Sequence, residues 1–347
     1  MIRNIVIAIL FVVMTSSAWA DNHTLEDQIP DRVLVNKDKL ISLVVENDLF
    51  GRGTDQNYTS GVRLSYMDVN KRFPDYAERL AQYIPTFEIN KTSSVFYSLG
   101  HNLYTPDDIT MVAQDPNDRP WAAYLYGSMG MVTITDNHID EVEASIGVIG
   151  PMAMGEQIQK FIHENISDSP KPMGWDNQLK NEPAIMLAWQ RRWPEYGAQD
   201  LTNNLRVGAS PHVGLTVGNV YTHASAGFNV WLNPKTERWQ DLPSRVRPAI
   251  PGTGFFEIPS TDGRWWSWSL FGGVEGRAIA RNIFLDGNTF RSSHDVNKKN
   301  FVADFNVGAA ITVDQYRFSY TLNYRTREFD GQDSGDAFGA LSFNYRF

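Results

Sequence analysis

From Asp314 the chain reads DQYRFSYTLNYRT, and apolar and polar positions alternate one by one. Tyr316, Phe318, Tyr320, Leu322 and Tyr324 form one set; Arg317, Ser319, Thr321, Asn323 and Arg325 form the other. A period of two places the sets on opposite faces of a strand. A soluble sandwich would bury the aromatic set. A membrane barrel would turn it to lipid and leave the arginines in a polar lumen, with Arg317, Arg325 and Arg346 filling it as paired charge. The last segment repeats the pattern, with Leu341, Phe343, Tyr345 and Phe347 against Ala340, Ser342, Asn344 and Arg346. It ends on Phe347, as exported barrels commonly close on an aromatic residue. Residues 301–311 alternate as well, Phe301, Phe305, Val307 and Ile311 falling on one face.

The pattern predicts about twelve strands: 39–46, 59–68, 93–102, 121–133, 137–148, 184–194, 202–213, 216–231, 266–279, 300–312, 314–327 and 337–347. Their lengths are near the roughly 9 to 11 residues a tilted strand needs to cross a bilayer. An even count lets a single chain close into a barrel, which removes the edges that lipid could not satisfy. The predicted fold is therefore all-β: a closed antiparallel transmembrane β-barrel in one domain, residues 21–347. Long loops are expected at 69–92, 149–183 and 232–265. The last is rich in Pro and charge, and its Trp239 is placed at the membrane interface.

Composition fits this picture. The 14 Tyr, 19 Phe, 10 Trp and 26 Gly suit a sheet that meets lipid, although mean hydropathy is only −0.34. Residues 1–20 carry Arg3, an apolar run from Ile5 to Met14, and Ala18-Trp19-Ala20, the layout of a secretory signal peptide cleaved before Asp21. The run is about half what a membrane-spanning helix needs. Losing Arg3 with this leader leaves 30 Lys plus Arg against 40 Asp plus Glu, a net charge near −10. That balance argues against nucleic acid as a partner. With no cysteine, neither disulfides nor thiolate chemistry enters. The sequence leaves the oligomeric state open, a monomer included.

With the N-terminus in the periplasm, strand parity puts three chemically suggestive stretches on the outer side. The first is ENDLF. Glu46, Asn47 and Asp48 offer carboxylate and amide oxygens that suit a hard cation such as Ca²⁺, without EF-hand spacing; the bland alternative is an Asn-Asp turn. Alternation puts Ser42, Glu46 and Asp48 toward the lumen and Asn47 outside, so Asn47 and Asp48 act together only where the strand bulges or ends. The second is YTSGVRLSY, where Thr59, Gly61, Arg63 and Ser65 form the inward set and Thr59 becomes a lumen-facing hydroxyl near the rim. The third, GPMAMGEQIQKFIHENI, loses strand alternation over 156–166 and predicts a short helix placed to close over the barrel mouth. Gln159 and His163, four apart, share one of its faces. His163 has the side chain best suited to take a proton near neutral pH; His101, His138, His212 and His223 compete on composition. Arg119, Lys171 and Lys180 stand where a phosphate could be met, or are plain surface charge. There is no GxSxG, Walker loop, HExxH or CxxC.

Together, ENDLF, TDQNYTSGVRLSY, HNLYTPDDI, DRPWAAYLYG, GPMAMGEQIQKFIHE and GWDNQLKNEP resemble the outer-membrane lipid A 3'-O-deacylase family, over about residues 39–347. The resemblance implies a twelve-stranded barrel that removes the 3'-linked acyloxyacyl group of lipid A in the outer leaflet. It implies Ca²⁺ dependence and a site between the outer barrel wall and a loop helix. The family's essential Asn-Asp pair falls on Asn47 and Asp48, its hydroxyl on Thr59, its helix glutamine on Gln159 and its catalytic histidine on His163. Arg119, Lys180 and Glu182 are candidates for its basic and second acidic roles, and Trp121 stands where a smaller aromatic is expected. The mechanism so implied is an interfacial esterase with lipid A or lipopolysaccharide as substrate. His163 activates water, and Ca²⁺ held by Asn47, Asp48 and Glu46 polarises the ester. The competing readings are an outer-membrane phospholipase, which a serine near His163 would favour, and a non-enzymatic porin or structural barrel.

Overall fold

A computed structural model describes residues 39–51, 57–69, 74–82, 87–135, 137–167, 169–235 and 265–347. The expected signal peptide, Asp136 and Trp239 lie outside the described residues. One antiparallel sheet runs through the chain: β1 (Lys39–Asn47), β2 (Asn57–Asp68), β3 (Ser94–Thr105), β4 (Ala122–Ile134), β5 (Ile139–Ile149), β6 (Glu182–Arg192), β7 (Tyr196–Asp200), β8 (Leu205–Gly218), β9 (Tyr221–Pro234), β10 (Trp266–Asn282), β11 (Phe301–Val313), β12 (Tyr316–Arg325) and β13 (Asp336–Arg346). β1 pairs with both β2 and β13, so the sheet closes on itself. The thirteen segments make twelve staves, because β6 and β7 pair with β8 in one line and Trp193 N bridges them by donating to Pro211 O. No described helix is long and apolar enough to cross a membrane; the crossing is made by strands.

β12 decides which way the faces turn. Its aromatic and leucine set is 37–49% exposed, while Arg317, Ser319, Thr321, Asn323 and Arg325 are at most 8% exposed. The apolar face looks outward, as a lipid-facing wall requires and a sandwich forbids. At the periplasmic end Tyr316, Tyr345 and Phe347 stack in turn, forming part of an aromatic belt.

The inward set fills the lumen. Arg63 pairs with Glu143 at 2.9 Å, and Asp304 takes Arg277 at 2.6 Å and Arg325 at 2.9 Å. Above them, Tyr104 of β3 stacks on Phe284 at 3.9 Å between ring centres. Phe284 belongs to α3 (Ile283–Asp286), which follows β10 on the far side of the barrel. Aromatic contact thus joins opposite walls across the mouth. The other helices are α1 (Asp75–Ala81), on the periplasmic side by parity, and α2 (Gly155–Asn165), in the outer loop between β5 and β6.

Two predicted strands end elsewhere. The turn read near 214–216 falls at Asn219–Val220, so β8 and β9 run later than 202–213 and 216–231. Gly214 is not a turn residue: a Cβ there would meet Ser225 Oγ at 2.8 Å. The real turn is held by Asn219, whose side chain accepts from Ile185 N and donates to Pro183 O.

Candidate active site

β1 stops where the sequence breaks. After Asn47 the chain enters a 3-10 turn, Asp48–Phe50, and Asn47 Oδ1 caps it by accepting from Leu49 N at 2.8 Å. Asn47 is the last residue on the outward set of β1, while Glu46 is buried on the inward set. Glu46 hydrogen-bonds the Tyr58 hydroxyl, and Tyr58 packs in the lumen cluster with Tyr104 and Phe338. Asp48 is fully buried in the turn.

Thr59 departs from the inward position that alternation predicts. The β2–β3 register slips between Tyr58 and Ser60, which leaves Thr59 as the extra residue of a bulge. Below the bulge Gly61, Arg63 and Ser65 face inward as expected; above it Tyr58 faces inward in place of Thr59. The Thr59 hydroxyl instead meets Thr105 Oγ1 at 2.7 Å. Thr105 lies on the same face of β3 as His101 and Leu103, and that face carries the α2 arm. His101 Nε2 donates to Ala153 O at 2.8 Å, and Leu103 packs with Trp121, Ala123, Trp175 and Ile158.

The helix therefore does not close over the barrel mouth. It lies on the outward wall of β3, β4 and β5, covering Ala123, Leu125 and Val148. Its seating depends on Gly155, where a Cβ would meet Ala123 Cβ at 2.5 Å and the Trp175 ring at 2.6 Å. The mouth is already occupied by the lumen cluster, so the apolar flank of α2 finds its partner on the outside.

Gly155, Gln159 and His163 make up the buried face of α2. His163 Nδ1 lies 2.7 Å from Pro170 O. A carbonyl only accepts, so Nδ1 carries the proton and neutral His163 has its lone pair on Nε2. Gln159 Oε1 accepts from Trp175 Nε1 at 2.8 Å. This turns the amide nitrogen the other way, where Gln159 Nε2 is buried with no hydrogen-bond partner among the described residues. The two halves sit on one row of the wall. Asn47 is opposite Ser60 on β2, Ser60 opposite Leu103 on β3, and Leu103 opposite Ala123 on β4.

The family model of the outer-membrane protein LpxR matches residues 5–347. This chain belongs to the LpxR family. Among solved structures, LpxR from Salmonella typhimurium superposes with a TM-score of 0.69 at 21% identity, covering 88% of this chain and 99% of that one. Two other barrels align loosely. The beta domain of the Bordetella autotransporter Brka has a TM-score of 0.38 at 8% identity, covering 88% and 98%. The translocator domain of NalP from Neisseria meningitidis has 0.36 at 8%, covering 90% and 88%. No curated protein matches the sequence. The protein is thus an LpxR-family barrel of the outer membrane.

Within this LpxR-family chain the remaining candidates are scattered. Arg119 is fully buried, stacked 5.0 Å over the Tyr104 ring and 3.5 Å from Glu328. It belongs to the lumen cluster and is not presented to a phosphate at the surface. Glu182 is also buried as a clamp: it accepts from Asn219 Nδ2, Asn288 Nδ2 and Thr289 N, tying three outer loops together. Lys180 is exposed, with Nζ donating to Ser292 O, and Lys171 is exposed on the stretch after α2. Of the competing histidines, His212 pairs with Glu275 in the lumen and His138 sits at the periplasmic turn. Sequence reasoning missed Pro170, Trp175 and Thr105 as partners of His163, Gln159 and Thr59. One signal was available: His101 and Asn47 are polar residues in the outward sets of their strands, which lipid would not tolerate uncovered.

The donors available to a cation are uneven. Asn47 and Asp48 offer adjacent hard oxygens, which fit Ca²⁺ by donor chemistry. Glu46 does not fit: it faces the lumen and is engaged by Tyr58. Among the described residues no three His, Asp or Glu side chains gather as a metal cluster.

Proposed function

We propose that this protein is a Ca²⁺-dependent lipid A 3'-O-deacylase, hydrolysing the ester of the 3'-linked acyloxyacyl group in the outer leaflet. The observation that carries the reading is the state of α2: a histidine with its proton fixed on Nδ1 and a glutamine with a buried, unused N–H, side by side on a face pressed to the outward wall. A site on the outward wall suits a substrate whose acyl chains stay in the membrane.

His163 Nε2 takes a proton from water as the water oxygen attacks the ester carbonyl. Gln159 Nε2 donates to the oxygen on which negative charge develops. The proton on His163 then passes to the departing 3' oxygen of the sugar, giving a free acid and a free hydroxyl. Thr59 and Asn47 shape the wall opposite the helix. Asn47 and Asp48 would hold the Ca²⁺, which supplies Lewis-acid polarisation of the carbonyl when bound. Lys180 and Lys171 are the exposed cations of the same loop that could meet a sugar phosphate.

Mass spectrometry of lipid A incubated with the purified barrel tests this. Wild type with Ca²⁺ should lose the 3' acyloxyacyl mass; wild type with EDTA and His163→Ala with Ca²⁺ should not. Intact lipid A in every sample, with the barrel folded, refutes the reading.

A further inference from the structure

α2 has more apolar surface than the barrel covers. Met154, its N-terminal flanking residue, and Phe161 are seven positions apart, within about 20° of each other around a helix. They are 52% and 59% exposed. Ile158 and Ile162, on the adjoining arc, are partly buried, and Ile158 packs toward Leu125 and Val148 of the wall. Glu156, Lys160 and Glu164 occupy the other flank, where Lys160 pairs with Glu156. Asn165 and Gln157 border the Phe161 side, and Asn165 gives one of its two amide N–H groups to Phe161 O at 2.8 Å. The helix is thus apolar on two adjoining sides, one against protein and one against nothing among the described residues.

The uncovered side continues the lipid-facing wall. Leu125 and Val148, under the helix, belong to the outward sets of β4 and β5. The next outward position on β5 is Ile146, 70% exposed, and in the same row, beyond Gly127 of β4, stands Leu99 of β3, 58% exposed. A soluble loop helix does not place Met and Phe over such a wall with charge on its opposite flank; an interfacial helix does.

We propose that α2 is a membrane-interface anchor, whose Met154–Phe161 side inserts among the acyl chains of the outer leaflet while the Glu156–Glu164 flank meets water. Outer-leaflet hydrocarbon is the occupant because the patch is continuous with the barrel's own lipid-contacting belt. The anchor holds the His163 face at the depth where acyl chains join a headgroup. It is argued from exposure and topology and stands apart from the hydrolase reading.

The absence of cysteine gives a clean background for the test. Single variants Phe161→Cys, Met154→Cys, Glu164→Cys and Ile146→Cys are spin-labelled in the full-length barrel reconstituted in phosphatidylcholine vesicles. Folding is confirmed by heat-modifiable gel migration. Relaxation of each nitroxide is measured with molecular oxygen, which partitions into lipid, and with a neutral nickel chelate, which stays in water. Labels at 161 and 154 should give the oxygen-dominated ratio of the Ile146 reference, several-fold above that at 164. If 161 and 154 match 164 and are relaxed by the chelate, the anchor is refuted, whatever the protein does to lipid A.

Discussion

The outward surfaces of β11–β13 and of β1–β5 near the outer rim obey different rules. On β12 every outward residue is aromatic or Leu, every inward one polar, and the register with both neighbours runs without a slip. At the rim of β1–β5 the outward set includes Asn47, His101 and Thr105, a bulge resets the facing of β2 at Thr59, and a helix covers the wall. Polar groups facing hydrocarbon are costly. They persist at this rim because α2 and its flanking turn give them partners, as Ala153 O does for His101. Regular alternation therefore marks bare wall, and its failure on an outward face marks a covered region where chemistry can be housed.

Breaking the covered region at its base should have the largest effect. His163→Ala is expected to lower turnover of lipid A on the order of 10³-fold while leaving heat-modifiable migration unchanged, since the side chain supports a loop and not the barrel ladder. The regular region should fail in the opposite way. Asp304→Ala removes the short ion-pair partner shared by Arg277 and Arg325, leaving them only Glu275 at 3.7 Å and Glu328 at 3.5 Å, and should cost about 3 kcal/mol, read by urea unfolding of the reconstituted barrel. Turnover per folded molecule should stay near wild type. Trp175→Phe keeps an aromatic ring, though a smaller one, and deletes the N–H that fixes Gln159; about a tenfold fall in kcat with KM unchanged is expected, and an unchanged kcat would remove Gln159 orientation from the mechanism.

A pH-dependent effect, confined to one segment, is expected at the periplasmic end. Burial pushes the Glu195 carboxyl up to about 7, against the opposing pull of Arg206 at 2.9 Å. The folded arm binds a proton that the unfolded chain releases, so stability is full below the ordinary glutamate range near 4.5. It is lost as pH rises toward 7 and is level above that. Amide exchange across β7, corrected for intrinsic rate, should show this segment less stable at pH 8 than at pH 4, by up to about 3 kcal/mol.

Much of the barrel was legible in the sequence because a period of two is a local property: the β12 and β13 faces follow directly from which residues are neighbours in the chain. The end of β1 at Asn47 was legible for a similar reason, since acid and amide side chains compete with the ladder. The pairing of Gln159 with His163 on one helix face followed from helical spacing alone. The facing of Thr59 was not legible. A bulge depends on the partner strand, and nothing in YTSGV records that β3 is one residue shorter across that span. Arg119 was misplaced for a related reason: its loop position fits a surface cation, and only the packing of Tyr104 and Glu328 draws it inside.

The sequence by itself determined the closed barrel, the side of each regular strand that meets lipid, and the residue types that could carry a reaction at the outer rim. Tertiary structure alone decided that the loop helix rests on the outward wall and not over the mouth, because a lumen filled from opposite sides by Tyr104 and Phe284 leaves it no apolar surface there. It also decided which nitrogen of His163 bears the proton and which way the Gln159 amide points, because Pro170 and Trp175 reach them only after the loop has folded back. Strand periodicity is carried by adjacent residues, whereas these hydrogen bonds depend on where separate segments come to rest.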